Sequence, residues 1–207
     1  YNVLLKKGMI KMKQIEITVR VKESLESAIK KLEKLGFKNI RESDIDDIYM
    51  TQLKKDLTKK NIQYILSNSV LLRYLNVNGK EFKKITYKNK VYDNGNVISE
   101  QKVNVDCNNL ENAKKLFECL NFEELVEVKY HILVMEKNGM ELAFQYGENI
   151  GTLIEYENIN DFSDKTIDEI KVEKENMQKS IKNLGLEITE ETDVKKAWEL
   201  IEKIYKF

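Results

Sequence analysis

Along residues 13–22, KQIEITVRVK, polar and apolar positions alternate without a break. Ile15, Ile17, Val19 and Val21 share one parity; Gln14, Glu16, Thr18 and Arg20 share the other. A period of two carried by branched apolar side chains predicts a strand with one buried face. Its polar face holds both an acid and a base. Similar patterning predicts strands over 70–77, 83–91, 97–106, 124–135, 140–146 and 151–158, with extended chain over 37–51. Helical spacing appears over 24–36, where Leu25, Ala28, Leu32 and Leu35 fall on one face and Gly36 is a stop. It returns over 110–120, opened by Asn108 and Glu111 as a capping pair. The tail predicts two helices, 163–184 and 190–205, parted near Gly185, and 53–67 reads as a short helix and a loop. Asn78-Gly79, residues 93–96 (DNGN) and Asn138-Gly139 mark tight turns, so the strands are mostly antiparallel and the class is α+β.

Residues 25–37 (LESAIKKLEKLGF) and 110–122 (LENAKKLFECLNF) are identical at seven of thirteen positions. Each copy follows a strand and precedes one. Two copies are too few for a solenoid, so the pattern predicts two pseudo-repeated halves within one structure.

The 207 residues carry 35 acidic and 35 basic side chains, a net charge of zero. That argues against nucleic acid as a partner, because bulk binding needs excess positive charge. No apolar run approaches a membrane span, and no signal peptide is visible. Cys107 and Cys119 lack metal-type spacing and read as reduced thiols of a cytoplasmic protein. His131 is the only histidine, which rules out a His-rich metal site. Residues 1–10 read as a leader, with a single domain over 11–207.

The polar strand faces leave two arrangements open. One is an open sheet with a solvated side. The other is a closed barrel with a charged interior, which must hold water, ions or a charged ligand. Grouped carboxylates attract a hard divalent cation such as magnesium or manganese, and lysines and arginines attract phosphate oxygens. Together they suit a polyphosphate bound with its metal. No P-loop, kinase loop or dinucleotide-type glycine loop is present.

Over residues 13–156 the chain resembles, in order, the CYTH superfamily of triphosphate tunnel proteins. Class IV adenylyl cyclases, thiamine triphosphatases and inorganic triphosphatases belong to that superfamily. Its opening Glu-x-Glu-x-Lys strand is similar to Gln14-Ile15-Glu16-Ile17-Thr18. An Asp-x-Tyr strand matches Asp47-Ile48-Tyr49, and Leu-Arg-x-Arg matches Leu72-Arg73-Tyr74-Leu75. Thr-Tyr-Lys stands intact as Thr86-Tyr87-Lys88, and a Leu-Gly-Phe helix end appears as Leu120-Asn121-Phe122. Lys-x-Arg becomes Lys129-Tyr130-His131. The late Leu-Gly-x-Phe-x-Glu-x-Glu runs from Ile150-Gly151 to Glu155-Tyr156-Glu157.

The resemblance implies an eight-stranded antiparallel closed β-barrel, a tunnel with helices packed outside. It implies a small-molecule triphosphate or nucleotide as partner and Mg2+ or Mn2+ as cofactor, and it leaves a homodimer open. Glu16, Glu155, Glu157 and, on a looser alignment, Glu100 would hold metal. Arg73, Lys88 and Lys129 would grip phosphates, with Arg20 on the same inward parity. Five positions depart from the pattern: Gln14, Thr18, Leu75, His131 and Gln145. Thr18 stands where a lysine would serve the nucleophile, so Thr18 and His131 mark the catalytic positions. The expected reaction is adenylyl cyclase-type cyclisation or triphosphate hydrolysis. The alternative is a tunnel that binds a phosphate ligand without turnover.

Overall fold

A computed structural model describes residues 15–93 and 96–207, without the side chains of 89–101. The expected leader, Gln14, and the side chain of Glu100 therefore lie outside the described residues. Eight strands form one antiparallel sheet: β1 (Ile15–Arg20), β2 (Lys38–Thr51), β3 (Val70–Val77), β4 (Lys80–Asp93), β5 (Asn96–Asp106), β6 (Glu123–Lys137), β7 (Met140–Gly147) and β8 (Gly151–Asn158). Among the described residues five α-helices accompany them: α1 (Leu25–Lys34), α2 (Ile62–Ser67), α3 (Leu110–Cys119), α4 (Ile167–Asn183) and α5 (Lys196–Tyr205). Among the described residues no helix is long and apolar enough to cross a membrane. The β3–β4 and β6–β7 connections turn at Asn78-Gly79 and Asn138-Gly139, with positive φ at all four residues. Two-residue hairpins need that conformation, and Asn and Gly adopt it at least cost.

The sheet order is β1-β8-β7-β6-β2-β3-β4-β5. The long strands β2 and β6 pair at its centre. Each half then places its first strand at the far edge of the other half: β1 against β8, and β5 against β4.

The expected closed barrel is not confirmed: among the described residues the sheet is not closed by hydrogen bonds, β1 and β5 being its two edges. The tail takes up the free edge of β1 instead. Lys22 N donates to Glu187 O (2.8 Å), Thr189 N to Arg20 O (2.9 Å), Thr18 N to Thr192 O and Val194 N to Thr18 O (both 3.0 Å). Backbone groups satisfied in this way are not available to β5. This also corrects the tail: α5 begins at Lys196, six residues later than the helical spacing suggested, because the preceding chain runs extended along β1. The edges still approach through side chains, with Lys102 Nζ of β5 3.4 Å from Glu16 Oε2 of β1. Among the described residues the two edges meet through these side chains and not through backbone hydrogen bonds.

On the outer side, Ile15, Ile17, Val19 and Val21 pack with Ala28 and Leu32 of α1 and Ile170, Met177 and Ile181 of α4. The helices are not all outside, however. Ile62 and Ile65 of α2 and Ala197, Leu200 and Ile201 of α5 cluster with Val126, Val128 and Tyr130 of β6. These helices cover the inner face of β6 and fill one end of the hollow with apolar side chains.

Candidate functional site

All eight strands contribute to one cavity of about 170 Å3. Alternation selects the contributors: Glu16 and Thr18 from β1, Asp47 and Tyr49 from β2, Leu71 and Arg73 from β3, Thr86 and Lys88 from β4. Lys102 comes from β5, Tyr130 and Ile132 from β6, Gln145 from β7 and Glu155 from β8. Residues 193–198 of the tail and α5 close one side. Among the described residues the lining holds four carboxylates and five cationic side chains, an unusual density for an enclosed space.

Asp47 is the anchor. It is 2% exposed, and Arg73 Nε and Nη2 grip its two oxygens at 2.6 Å each. The Tyr130 hydroxyl donates to Asp47 Oδ2 at 3.2 Å. Burial works against the charge on Arg73, and the Asp47 carboxylate more than offsets it, holding the guanidinium pKa above its usual value. The fork uses two of the five guanidinium N–H donors. Burial, then Asp47, pushes the Tyr130 hydroxyl well above its ordinary pKa, so it stays protonated as a donor.

A second chain of contacts crosses the hollow. Lys196 Nζ donates to Gln145 Oε1, and Gln145 Nε2 donates to Glu155 Oε2 at 2.9 Å. The Lys196 ammonium also lies 4.0 Å from the centroid of the Tyr130 ring, within cation–π range. Lys196 as a whole is half-buried, but its amine end is enclosed. Burial brings its pKa down to about 8; Glu155 and Asp47 oppose the fall, and Lys88 and Arg73 add to it.

Of the residues singled out in the sequence, Glu16, Thr18, Arg73, Lys88 and Glu155 face this cavity. Glu157 is half-buried and sits directly opposite Glu16 in the β1–β8 register, so the two carboxylates share a face. Arg20 keeps the inward parity but turns at the strand end to Glu199 (2.6 and 2.5 Å) and to Ile150 O (2.8 Å). Lys129 and His131 lie on the opposite face of β6 from Tyr130. Lys129 is exposed between Glu127 (3.1 Å) and Asp46 (3.4 Å). His131 Nδ1 lies 2.5 Å from Asp44 Oδ1, with its ring stacked on Tyr146. Both border a separate, outward-facing depression.

The tertiary structure adds Asp47, Lys102, Tyr130 and Lys196 to the site. Lys102 alternates with its strand neighbours, and Asp47 lies in the Asp-x-Tyr stretch of a strand that carries three further acids, Glu42, Asp44 and Asp46. Lys196 had no local signal, being one lysine in a charged helix.

For a divalent cation the cavity and its border offer pairs of carboxylates. Among the described residues no three Asp, Glu, His or Cys side chains converge as a metal cluster. Magnesium, however, commonly takes one or two carboxylates and completes its shell with water and substrate phosphates. Glu16 and Glu157, adjacent across β1 and β8, meet that lesser requirement.

No family model matches the chain. It is 26% identical over 153 residues to the protein named "Putative adenylate cyclase MJ0240" of Methanocaldococcus jannaschii, covering 73% of this chain and 81% of that one. The solved PH1819 protein from Pyrococcus horikoshii superposes with a TM-score of 0.68 at 18% identity, over 92% of this chain and 99% of that one. A Hippeastrum protein, HpAC1, described as a putative adenylyl cyclase with a dominant triphosphatase activity, superposes with a TM-score of 0.50 at 14% identity, over 86% and 90%. The ordered motifs and the likeness to the M. jannaschii sequence support a divergent, CYTH-like member, and the solved structures show that the chain shares their fold.

Proposed function

We propose that the cavity takes the phosphate chain of a triphosphate, free or in a nucleotide, and that the protein hydrolyses a phosphoanhydride. One observation carries this reading. Arg73, Lys88, Lys102 and Lys196, from four separate elements, face a single hollow together with Glu16 and Glu155. A phosphate chain presents several anionic oxygens in a row, and cations from different directions can each take one. Both relatives support a triphosphate as ligand, one by an adenylate cyclase name and one by its triphosphatase activity, and only the second supports hydrolysis.

Size favours hydrolysis over cyclisation. The cavity, about 170 Å3, is below the roughly 300–1,000 Å3 of pockets that enclose a drug-sized ligand. It suits a phosphate chain better than a whole nucleotide, and cyclisation would require the ribose to be held inside as well. Glu16 and Glu157 would hold Mg2+ or Mn2+ arriving with the phosphates; when bound, the ion neutralises charge on their oxygens. The chain's own residues bind and orient. Arg73 is fixed by Asp47, Lys88 and Lys102 approach from adjacent strands, and the packed ends of α2 and α5 exclude water. The two free thiols fit a reducing, cytoplasmic setting.

Binding without turnover is the second reading. It is favoured by Thr18, which places a weakly basic hydroxyl on the lining where the resemblance implied an amine, and by Gln145, which engages Glu155. Phosphate release from inorganic triphosphate and from ATP would be followed with Mg2+, Mn2+ or EDTA, with cyclic nucleotide measured in parallel and affinity by calorimetry. Phosphate release is expected. Cyclic nucleotide alone would reassign the reaction, tight binding without release would establish the second reading, and no binding would overturn both.

A further inference from the structure

The depression on the outer side of β6 has a volume of about 550 Å3, within the roughly 300–1,000 Å3 of pockets that enclose a small molecule. The fold makes it. β7 pairs with β6 only from His131 to Lys137, so the earlier part of β6 runs on without that neighbour. The β7–β8 turn forms the facing wall. It comes close because residue 147 is a glycine: a Cβ there would meet Lys129 O at 2.9 Å. Ile45, Val128, Ile150 and Leu200, all buried, supply an apolar floor. Asp44, Asp46, Glu127 and Glu148 add carboxylates to the same lining. We propose that this depression is a second binding site, for a small aliphatic polyamine whose ammonium groups meet the carboxylates and whose methylenes lie on the apolar floor.

The cations already present do not balance the acids. One ammonium, that of Lys129, is shared between Glu127 (3.1 Å) and Asp46 Oδ2 (3.4 Å). His131 lies against Asp44, and Glu148 adds a fourth acid from the turn. Asp46 shows the shortfall. Its Oδ1 is buried without a hydrogen-bond partner, the one such side-chain atom among the described residues. A buried acceptor left unpaired is costly, and its persistence calls for an explanation. Burial, then the Glu127 carboxylate, raises the Asp46 pKa, and Lys129 opposes the rise without cancelling it. Turning the carboxylate about its Cβ–Cγ bond, a soft torsion, offers Oδ1 to a donor in the depression.

The lining also selects the chemistry of the ligand. An anion would be repelled by the excess of carboxylates, and a bare metal ion would gain nothing from the apolar floor. A cation bearing N–H groups answers the unpaired acceptor with a charge-assisted hydrogen bond. Carbon between its charges buries against Ile45, Val128, Ile150 and Leu200. The site is separate from the triphosphate cavity and does not rest on that reading.

The test titrates spermidine into the full chain by calorimetry, without triphosphate, at an ionic strength of about 0.15 M so that diffuse attraction is screened. Wild type is compared with Asp46→Asn, Lys129→Met and a remote control on α3, Glu118→Gln, with thermal melts of each. One saturable site is expected, weakened by about tenfold or more in Asp46→Asn. Lys129→Met removes the competing ammonium and should tighten binding severalfold, and Glu118→Gln should match wild type. No saturable binding at millimolar spermidine overturns the inference, as does unchanged affinity in Asp46→Asn. An equal loss in Glu118→Gln also overturns it, being the signature of general attraction to acidic surface. A tetralysine peptide is titrated alongside: tighter binding than spermidine, abolished by Asp46→Asn, would assign the depression to a basic protein segment and overturn the polyamine. Should Asp46→Asn fail to fold, Lys129→Met decides alone, tighter spermidine binding supporting the site and unchanged or weaker binding removing it.

Discussion

β1 and β6 carry nearly the same alternating pattern and use it in opposite senses. On β1 the apolar parity, Ile15 to Val21, packs outward on α1 and α4, and Glu16 and Thr18 face the cavity. On β6 the apolar parity faces inward. Val126, Val128 and Tyr130 meet α2 and α5, while Glu127, Lys129 and His131 look out. Alternation says that a strand has two unlike faces. It does not say which face is concave. The element that covers each face decides that, and over β6 the covering helix arrives from inside.

The largest expected consequence lies at the inner anchor. Arg73→Ala would leave Asp47 enclosed without its partner and should destabilise the fold by about 3–5 kcal/mol, read from urea midpoints. Wild-type stability in that variant would mean that the inner face is more hydrated than its burial indicates.

Lys196 follows. Its pKa is lowered to about 8 from an ordinary 10.5, so between those values the unfolded chain binds more protons than the folded one. Stability from this group therefore rises with pH across roughly 8 to 10.5, and below 8 the full penalty applies. The difference in unfolding free energy between wild type and Lys196→Met should shift by about 3 kcal/mol over that window. A flat difference would show that the amine is solvated.

The two faces can then be set against each other directly. Lys88→Met, on the cavity lining, should weaken triphosphate binding by about 10- to 100-fold. Lys129→Met, on the outer face of β6, should leave it within about twofold, since exposed pairs contribute little. Equal losses would put both faces in the site. The smallest effect is expected for His131→Ala: a stability change within about 0.5 kcal/mol and unaltered triphosphate affinity by calorimetry.

Much was legible in the chain itself. The alternation around Ile17 identified β1, the Asn-Gly pairs placed two hairpins, and Gly36, with positive φ, ended the first helix as expected. The inward residues Glu16, Arg73, Lys88 and Glu155 could be named because strand parity and an ordered resemblance agreed on them. Lys129 was named on the same grounds and projects outward, because the packing of β6 was not encoded in its own period. Lys196 could not be named at all. It lies 180 positions from Glu16, and nothing local distinguishes it from the lysines around it.

By itself, then, the sequence determined the elements, their amphipathic faces and the charge inventory, since these follow from short-range periodicity and turn chemistry. The tertiary structure decided which face encloses the hollow, that the tail rather than β5 satisfies the free edge of β1, and that a C-terminal amine completes the lining. Those outcomes depend on contacts between distant segments competing for the same backbone groups and the same apolar surface, and no window along the chain contains both competitors.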